Sequence, residues 1–403
     1  MRLIFIIFVF ALVACAATPK DIKPAPESPM RAVDVIWGKS FVENGTSQFL
    51  KNSPVVDADV VYLADENGRL SCLRLLDGSV VWQKQFDAAW TGGPTLDGDV
   101  IAAANINAQV MLLSKKTGQL IWQAEVSSEV LAPPKLSQNV VVVQTNDGKL
   151  IGLRRSNGKV LWSFSRSVPL LTLRGTGEPM IVGDKVLAGF SKGQMVAVSI
   201  NDGKLLWETV IAMPKGRSEL ERMVDLDGFM AYQDGTLYVA SYQGRIAAIT
   251  EESGRILWAR DMSTYTGLSL FGDLLFVSDT EGLVWAMDKN SGATLWKQQA
   301  LSGLELTRPI IFSDQILVGD ADSRLYWLSK ADGKLLGRSE YFDISLDAGV
   351  NSYTDLIDPD DEYEQGLFME KRGFSHAPVV TDENLLISYR NGVLALIANA
   401  TKP

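Results

Sequence analysis

The sequence predicts an all-β chain folded as an eight-bladed β-propeller, with four antiparallel strands per blade. Three observations carry this. A glycine is followed four residues later by tryptophan six times over, at Gly78/Trp82, Gly118/Trp122, Gly158/Trp162, Gly203/Trp207, Gly254/Trp258 and Gly292/Trp296. These tryptophans stand 40, 40, 45, 51 and 38 residues apart, the kind of period that marks a stacked or radial repeat. Within each period, short apolar or β-branched runs alternate with tight turns, and a 3.6-residue helical period is absent.

Each element of the unit has its own justification. A second glycine stands 14 residues before the tryptophan in five units, at Gly68, Gly148, Gly193, Gly244 and Gly282. It lies in turns such as Glu66-Asn67-Gly68 and Asn146-Asp147-Gly148, where Asn-Gly and Asp-Gly supply the positive φ of a two-residue hairpin. Before the turn come VVYLAD, VVVVQT, VLAGFS, LYVASY and LLFVSD, and after it RLSCLRL, KLIGLRR, QMVAVSI, RIAAITE and LVWAMDK. A further turn, as in Leu76-Asp77-Gly78 or Asn201-Asp202-Gly203, leads into a last strand that ends in tryptophan. A short first strand opens each set, for instance Gly93-Pro94-Thr95-Leu96. Four short antiparallel strands in about 40 residues make a propeller blade. A sandwich of many short strands has no reason to repeat one aromatic at fixed spacing.

Counting units gives the closure. Six end in tryptophan. A seventh, from Pro309 to about Glu340, keeps Gly333 but has Gly337 at the tryptophan position. An eighth begins near Ala377 and has only APVVT, NLLISYR and GVLALIA before the last residue, Pro403. The orphan strand Ala32–Trp37, AVDVIW, supplies its fourth strand, tying the first and last blades together and leaving no open seam. The propeller is therefore expected over 31–399. Trp37, Trp82, Trp122, Trp162, Trp207, Trp258 and Trp296 are assigned to docking one blade on the next. Each buries a large area and needs one partner for its N–H. Trp90, Trp285 and Trp327 fall outside this pattern.

The chain opens MRLIFIIFVFALVACAA, with an apolar run too short to span a bilayer, which takes about 20 residues. Residues 1–14 read as a secretory signal. Leu12-Val13-Ala14-Cys15 resembles the bacterial lipoprotein box, which makes Cys15 the acylated first mature residue; the alternative is an ordinary signal peptide with a chance cysteine. Ala16, where inner-membrane retention would use Asp, points to the outer membrane. Residues 15–30 form the lipidated cysteine and a proline-bearing tether. Cys72, the other cysteine, sits in an apolar strand and is expected to be buried. The net charge of −10 without a basic cluster argues against nucleic acid as a partner.

The unit Ala286-x-Asp288-x-x-Ser291-Gly292-x-x-x-Trp296 resembles the tryptophan-docking motif of quinoprotein, or PQQ-repeat, propellers; Ala197 to Trp207 is a looser match. Dehydrogenases of that kind hold the quinone with Ca²⁺, a stacking aromatic and often a Cys pair. Here there is no Cys pair, and a single histidine, His376, is most simply a polar residue at a blade edge. The acidic stretch Asp358-Pro359-Asp360-Asp361-Glu362 lacks the alternation of a Ca²⁺ loop. No phosphate loop or nucleophile elbow appears. No catalytic residue, metal or cofactor is therefore expected. A quinone-dependent dehydrogenase or a small-ligand-binding propeller is the alternative.

Propeller and lipoprotein box together resemble the BamB family, subunits of the machine that inserts β-barrel proteins into the outer membrane. Leu171-Thr172-Leu173-Arg174-Gly175 and Arg222-Met223-Val224-Asp225-Leu226-Asp227 carry the closer likeness. The resemblance implies a non-enzymatic, periplasm-facing scaffold, lipid-anchored and working beside other subunits. It also implies that Leu171, Leu173, Arg174, Asp225 and Asp227 dock the POTRA domains of BamA. Independently, both segments connect successive blades and so emerge on one face, as neighbours. The tryptophan intervals of 45 and 51 span these same two connections. Leu171 and Leu173 beside charges of both signs suit an interface with a polar rim. The competing reading makes both leucines core, with Arg174 paired internally to Asp225 or Asp227. The long connection Tyr341–Ser375 has no motif; contact with an unfolded client and disorder both fit it.

Overall fold

The computed structural model describes residues 26–41, 52–169, 177–213, 217–218, 224–226, 228–339, 373–390 and 392–398. The signal peptide, Cys15 and the first part of the tether lie outside them. Eight sheets, each built on four antiparallel strands, form the eight predicted blades. The third is typical: strands Lys135–Leu136, Val140–Thr145, Lys149–Arg154 and Val160–Ser165 run in order from the axis to the rim. The two middle strands of this blade are almost wholly buried. The outer strand shows its first two residues to solvent and turns Trp162 inward. The apolar clusters lie between consecutive blades, so each core is shared by two repeats.

The tryptophans and glycines lock these cores. The indole N–H of Trp37 donates to the carbonyl of Leu75, and those of Trp82, Trp122 and Trp162 donate to Lys115, Arg155 and Ile200. Those of Trp207, Trp258 and Trp296 donate to Glu251, Lys289 and Lys330. Every acceptor belongs to the next blade. The ring lies against that blade's glycine: Trp162 covers Gly203, where φ is +67° and a Cβ would come within 2.7 Å of the indole. Glycine and tryptophan four residues apart therefore serve two different contacts. The glycine receives the preceding blade's indole, and the tryptophan reaches forward. Every outer strand also carries a register shift next to this docking position. A bulge on an exposed edge discourages pairing with another chain.

The ring closes as the orphan strand predicts. Val35–Ser40 pairs antiparallel with Val393–Ala398 and completes the eighth blade. The N-terminal segment does more than this. Met30–Arg31 adds a fifth, parallel strand to the seventh blade, opposite Arg338 and Ser339, so ordered structure begins inside the segment expected to be tether. Blade seven is the one with Gly337 in place of tryptophan. A Cβ on Gly337 would lie 2.7 Å from Arg31 Nε, so the arginine side chain lies against this glycine. Its guanidinium stacks on Trp327, 5.2 Å from the ring centroid, and Nη1 donates to Gln315 Oε1 at 2.9 Å. Trp327 falls outside the docking pattern because it forms this platform.

Trp285 has a different duty. Its Nε1 donates to Asp279 Oδ2 at 2.7 Å, while Asp279 Oδ1 accepts the backbone N–H groups of Glu281 and Leu283. Asp65, Asn105 and Asp320 organise the equivalent turns of blades one, two and seven in the same way. A polar side chain 17 residues before the docking position is thus a further part of the repeat, and spacing alone would have revealed it. Cys72 is buried, as its strand predicts, and burial pushes its thiol above the ordinary range.

Candidate partner-binding face

With four antiparallel strands per blade, the turns between the second and third strands and the connections between blades share one face. The second glycine of the repeat sits where the two meet. A Cβ on Gly68, Gly148 or Gly193 would lie 2.3, 2.5 or 2.2 Å from the carbonyl oxygen of Phe86, Arg166 or Ala212 in the following connection. Only glycine permits that approach. These residues of the connections are therefore seated on the turns.

Of the five residues expected to bind a partner, Leu171, Leu173, Arg174 and Asp227 lie outside the described residues. Asp225 lies within them. Its segment crosses between the turns of blades four and five. Gly193 N–H donates to the Val224 carbonyl at 2.9 Å, Asp225 forms a β-bridge with Ser191, and Tyr242 N–H donates to the Asp225 carbonyl at 3.1 Å. Asp225 is consequently only 3% exposed. A connection crossing two turns satisfies their free backbone groups and is drawn into the protein by doing so. Asp225 thus stands within the face, not on its surface, and the geometry of this residue is that of a support for the segment.

The two connections expected to be neighbours do meet. A Cβ on Gly177, which ends the first, would lie 2.3 Å from the carbonyl oxygen of Leu226 in the second. Leu226 is buried and packs against Gly189 of blade four. On these same connections, Val168 is 38% and Met213 71% exposed. Arg166 caps Phe164 and pairs with Glu208 at 2.7 Å. Sequence reasoning did not single out Val168 or Met213. Their signal was an apolar residue just after an outer strand, where a turn would ordinarily be polar.

Among the described residues, no group of three or more His, Cys, Asp and Glu side chains converges as a metal site would. His376 Nδ1 lies 3.0 Å from Ser375 Oγ at the entry to blade eight.

An eight-bladed propeller with indole-docked repeats and joined connections on one face belongs to the PQQ-like repeat class of propellers. The family model described as outer membrane protein assembly factor BamB matches residues 66–298. A BamB from Pseudomonas aeruginosa is 46% identical over 332 residues, 81% of this chain and 87% of that one. The chain belongs to the BamB family of outer membrane protein assembly factors. The crystal structure of BamB from Moraxella catarrhalis superposes with a TM-score of 0.75 at 25% identity, over 91% of this chain and all of that one. A quinohemoprotein alcohol dehydrogenase from Comamonas testosteroni shares the fold alone. Its TM-score is 0.66 at 10% identity, over 93% of this chain and 78% of that one. The family is named for assembly and not for a reaction, in line with the reading of the chain as no enzyme.

Proposed function

We propose that this chain is a periplasm-facing scaffold of the outer-membrane β-barrel assembly machine, held to the membrane through acylated Cys15, and that it binds the POTRA region of BamA. The observation that carries the reading is the contact of the two long connections, Gly177 against Leu226, on one face. It joins the described end of the first connection to the second, which supports reading the two candidate segments as one surface. The exposed apolar residues Val168 and Met213, beside the Arg166–Glu208 pair, suit the mixed composition of a protein interface. Anchoring confines the scaffold near its partner and raises the effective concentration there.

Binding of the chain, freed of its anchor, to isolated POTRA domains tests this. Wild type is expected to bind. Leu173→Asp and Arg174→Glu are expected to weaken binding at least tenfold with unchanged melting temperature, as rim and core substitutions of an interface do. Asp225→Ala is expected to lower the melting temperature as well, because Asp225 is built into the fold. Absence of wild-type binding would sink the proposal; binding indifferent to Leu173 and Arg174 would sink the assignment of the site.

A further inference from the structure

Five successive blades send side chains to one point, and the only place where they can meet is the mouth of the central channel. Lys135, on the innermost strand of blade three, pairs with Glu178, two residues before that of blade four. Phe229 and Arg308 stand two residues before the innermost strands of blades five and seven, Ala231–Gln233 and Ile310–Phe312. The Arg308 guanidinium lies over the Phe229 ring, 4.6 Å from its centroid. Its Nη1 reaches Ser269 Oγ of blade six at 3.4 Å, while that hydroxyl donates to the Pro309 carbonyl at 2.5 Å. All these positions open inner strands, so the mouth lies on the same face as the long connections.

Among the described residues, the charges at the mouth do not balance. Glu178 is taken by Lys135, and no carboxylate among the described residues lies within ion-pair distance of Arg308. Arg308 Nε is buried without a hydrogen-bond partner among those residues. Burial pushes the guanidinium below its ordinary value, and the Glu178 carboxylate opposes this. A cation held in partly desolvated surroundings without an anion is costly, and it attracts one. The setting is a chain of net charge −10, so this is a local reversal of sign. Phe229, 39% exposed, fixes the guanidinium plane and leaves the mouth open beside it.

We propose that the channel mouth is a carboxylate-binding site in which Arg308 is the recognising group. The planar guanidinium matches a carboxylate. One cation in excess among the described residues suits a monoanion, whereas a dianion would meet the Glu178 carboxylate. The carboxylate has two possible sources: a free small molecule, or an Asp or Glu side chain of a protein docked on this face. The second source rests on the function proposed above.

The test is a titration of the whole soluble chain with sodium acetate at constant ionic strength, reading the backbone amides of Phe229 and Ser269 by NMR. Wild type is expected to give a saturable shift. Arg308→Gln is expected to weaken it at least tenfold, and Arg308→Lys to restore part of it, each with unchanged melting temperature. A shift that does not saturate, or that is equal in Arg308→Gln, overturns the site whether or not POTRA domains bind. With the site established, POTRA binding identifies its source. Competition by acetate and loss in Arg308→Gln assign it to a docked side chain; indifference to both assigns it to a free carboxylate.

Discussion

Replacing Gly203 by alanine probes the joint that repeats around this ring. Two penalties are readable there. The backbone φ of +67° is left-handed, which disfavours an L side chain by about 1–2 kcal/mol. The new Cβ would also lie 2.7, 2.8 and 3.0 Å from Cε3, Cδ2 and Cγ of Trp162. The indole cannot retreat: it is 6% exposed and its N–H is held by the Ile200 carbonyl at 2.7 Å. Overpacking of this kind adds about 1–3 kcal/mol, so Gly203→Ala is expected to destabilise by about 2–5 kcal/mol. Gly183 separates the two terms. Its φ is +57°, and nothing lies within 4 Å of a Cβ there, so Gly183→Ala should show only the backbone part, about 1–2 kcal/mol. Trp162→Leu removes the obstacle, and in that background Gly203→Ala should fall to the Gly183→Ala value. The double-mutant cycle then shows a coupling of about 1–3 kcal/mol. Urea unfolding, followed by fluorescence and circular dichroism with coincident transitions and an unchanged m-value, measures it. Equal effects of Gly203→Ala and Gly183→Ala, or strict additivity with Trp162→Leu, would refute the docking account.

Further expectations follow from the same contacts. Arg31→Ala empties the place beside Gly337 and Trp327 and should lower stability by about 1–3 kcal/mol. It should also expose the N-terminal strand to protease, and a digest identical to wild type would contradict this. Asp279→Ala removes an acceptor for two backbone N–H groups and for Trp285, so a loss of about 2–4 kcal/mol in denaturant melts is expected, and one below about 0.5 kcal/mol would be incompatible. The native Cys72 thiol, raised by burial, should resist a thiol reagent at pH 8 and react after unfolding. Because its folded value lies above the unfolded one, its contribution is fully present below the ordinary thiol range and is lost as pH rises from there through the raised folded value. Cys72→Ala should flatten that part of the alkaline stability profile; an unchanged profile would show that other groups control it.

The repeat was legible because its parts are local. Turn glycines, β-branched strands and a tryptophan at fixed offset are fixed by φ and by the alternation of strand faces, both of which sequence displays. Even the completion of blade eight could be inferred, because a missing fourth strand and an orphan strand are both visible in the chain; the paired strand is Val35–Ser40, three residues further on than the expected Ala32–Trp37. Asp279, Asp65, Asn105 and Asp320 stand at an equally regular offset, 17 residues before the docking position, but as polar residues beside a turn they do not stand out from other turn residues as the glycines and tryptophans do. The face was less legible. Asp225 reads as an exposed charge in a connecting segment, yet it is buried because backbone groups on two blades clasp that segment.

The sequence by itself determined how many blades there are and which residues join them, since both depend on neighbours within about 40 residues, and where the ring closes, since the incomplete last blade and the orphan strand are both visible in the chain. Only the tertiary structure decided which glycine each tryptophan meets. It also placed Arg31 against Gly337 in the blade that lacks an indole, and gathered Lys135, Glu178, Phe229, Ser269 and Arg308 at the axis. Those partners lie on different blades, and closing the ring is what brings residues so far apart in the chain within contact distance.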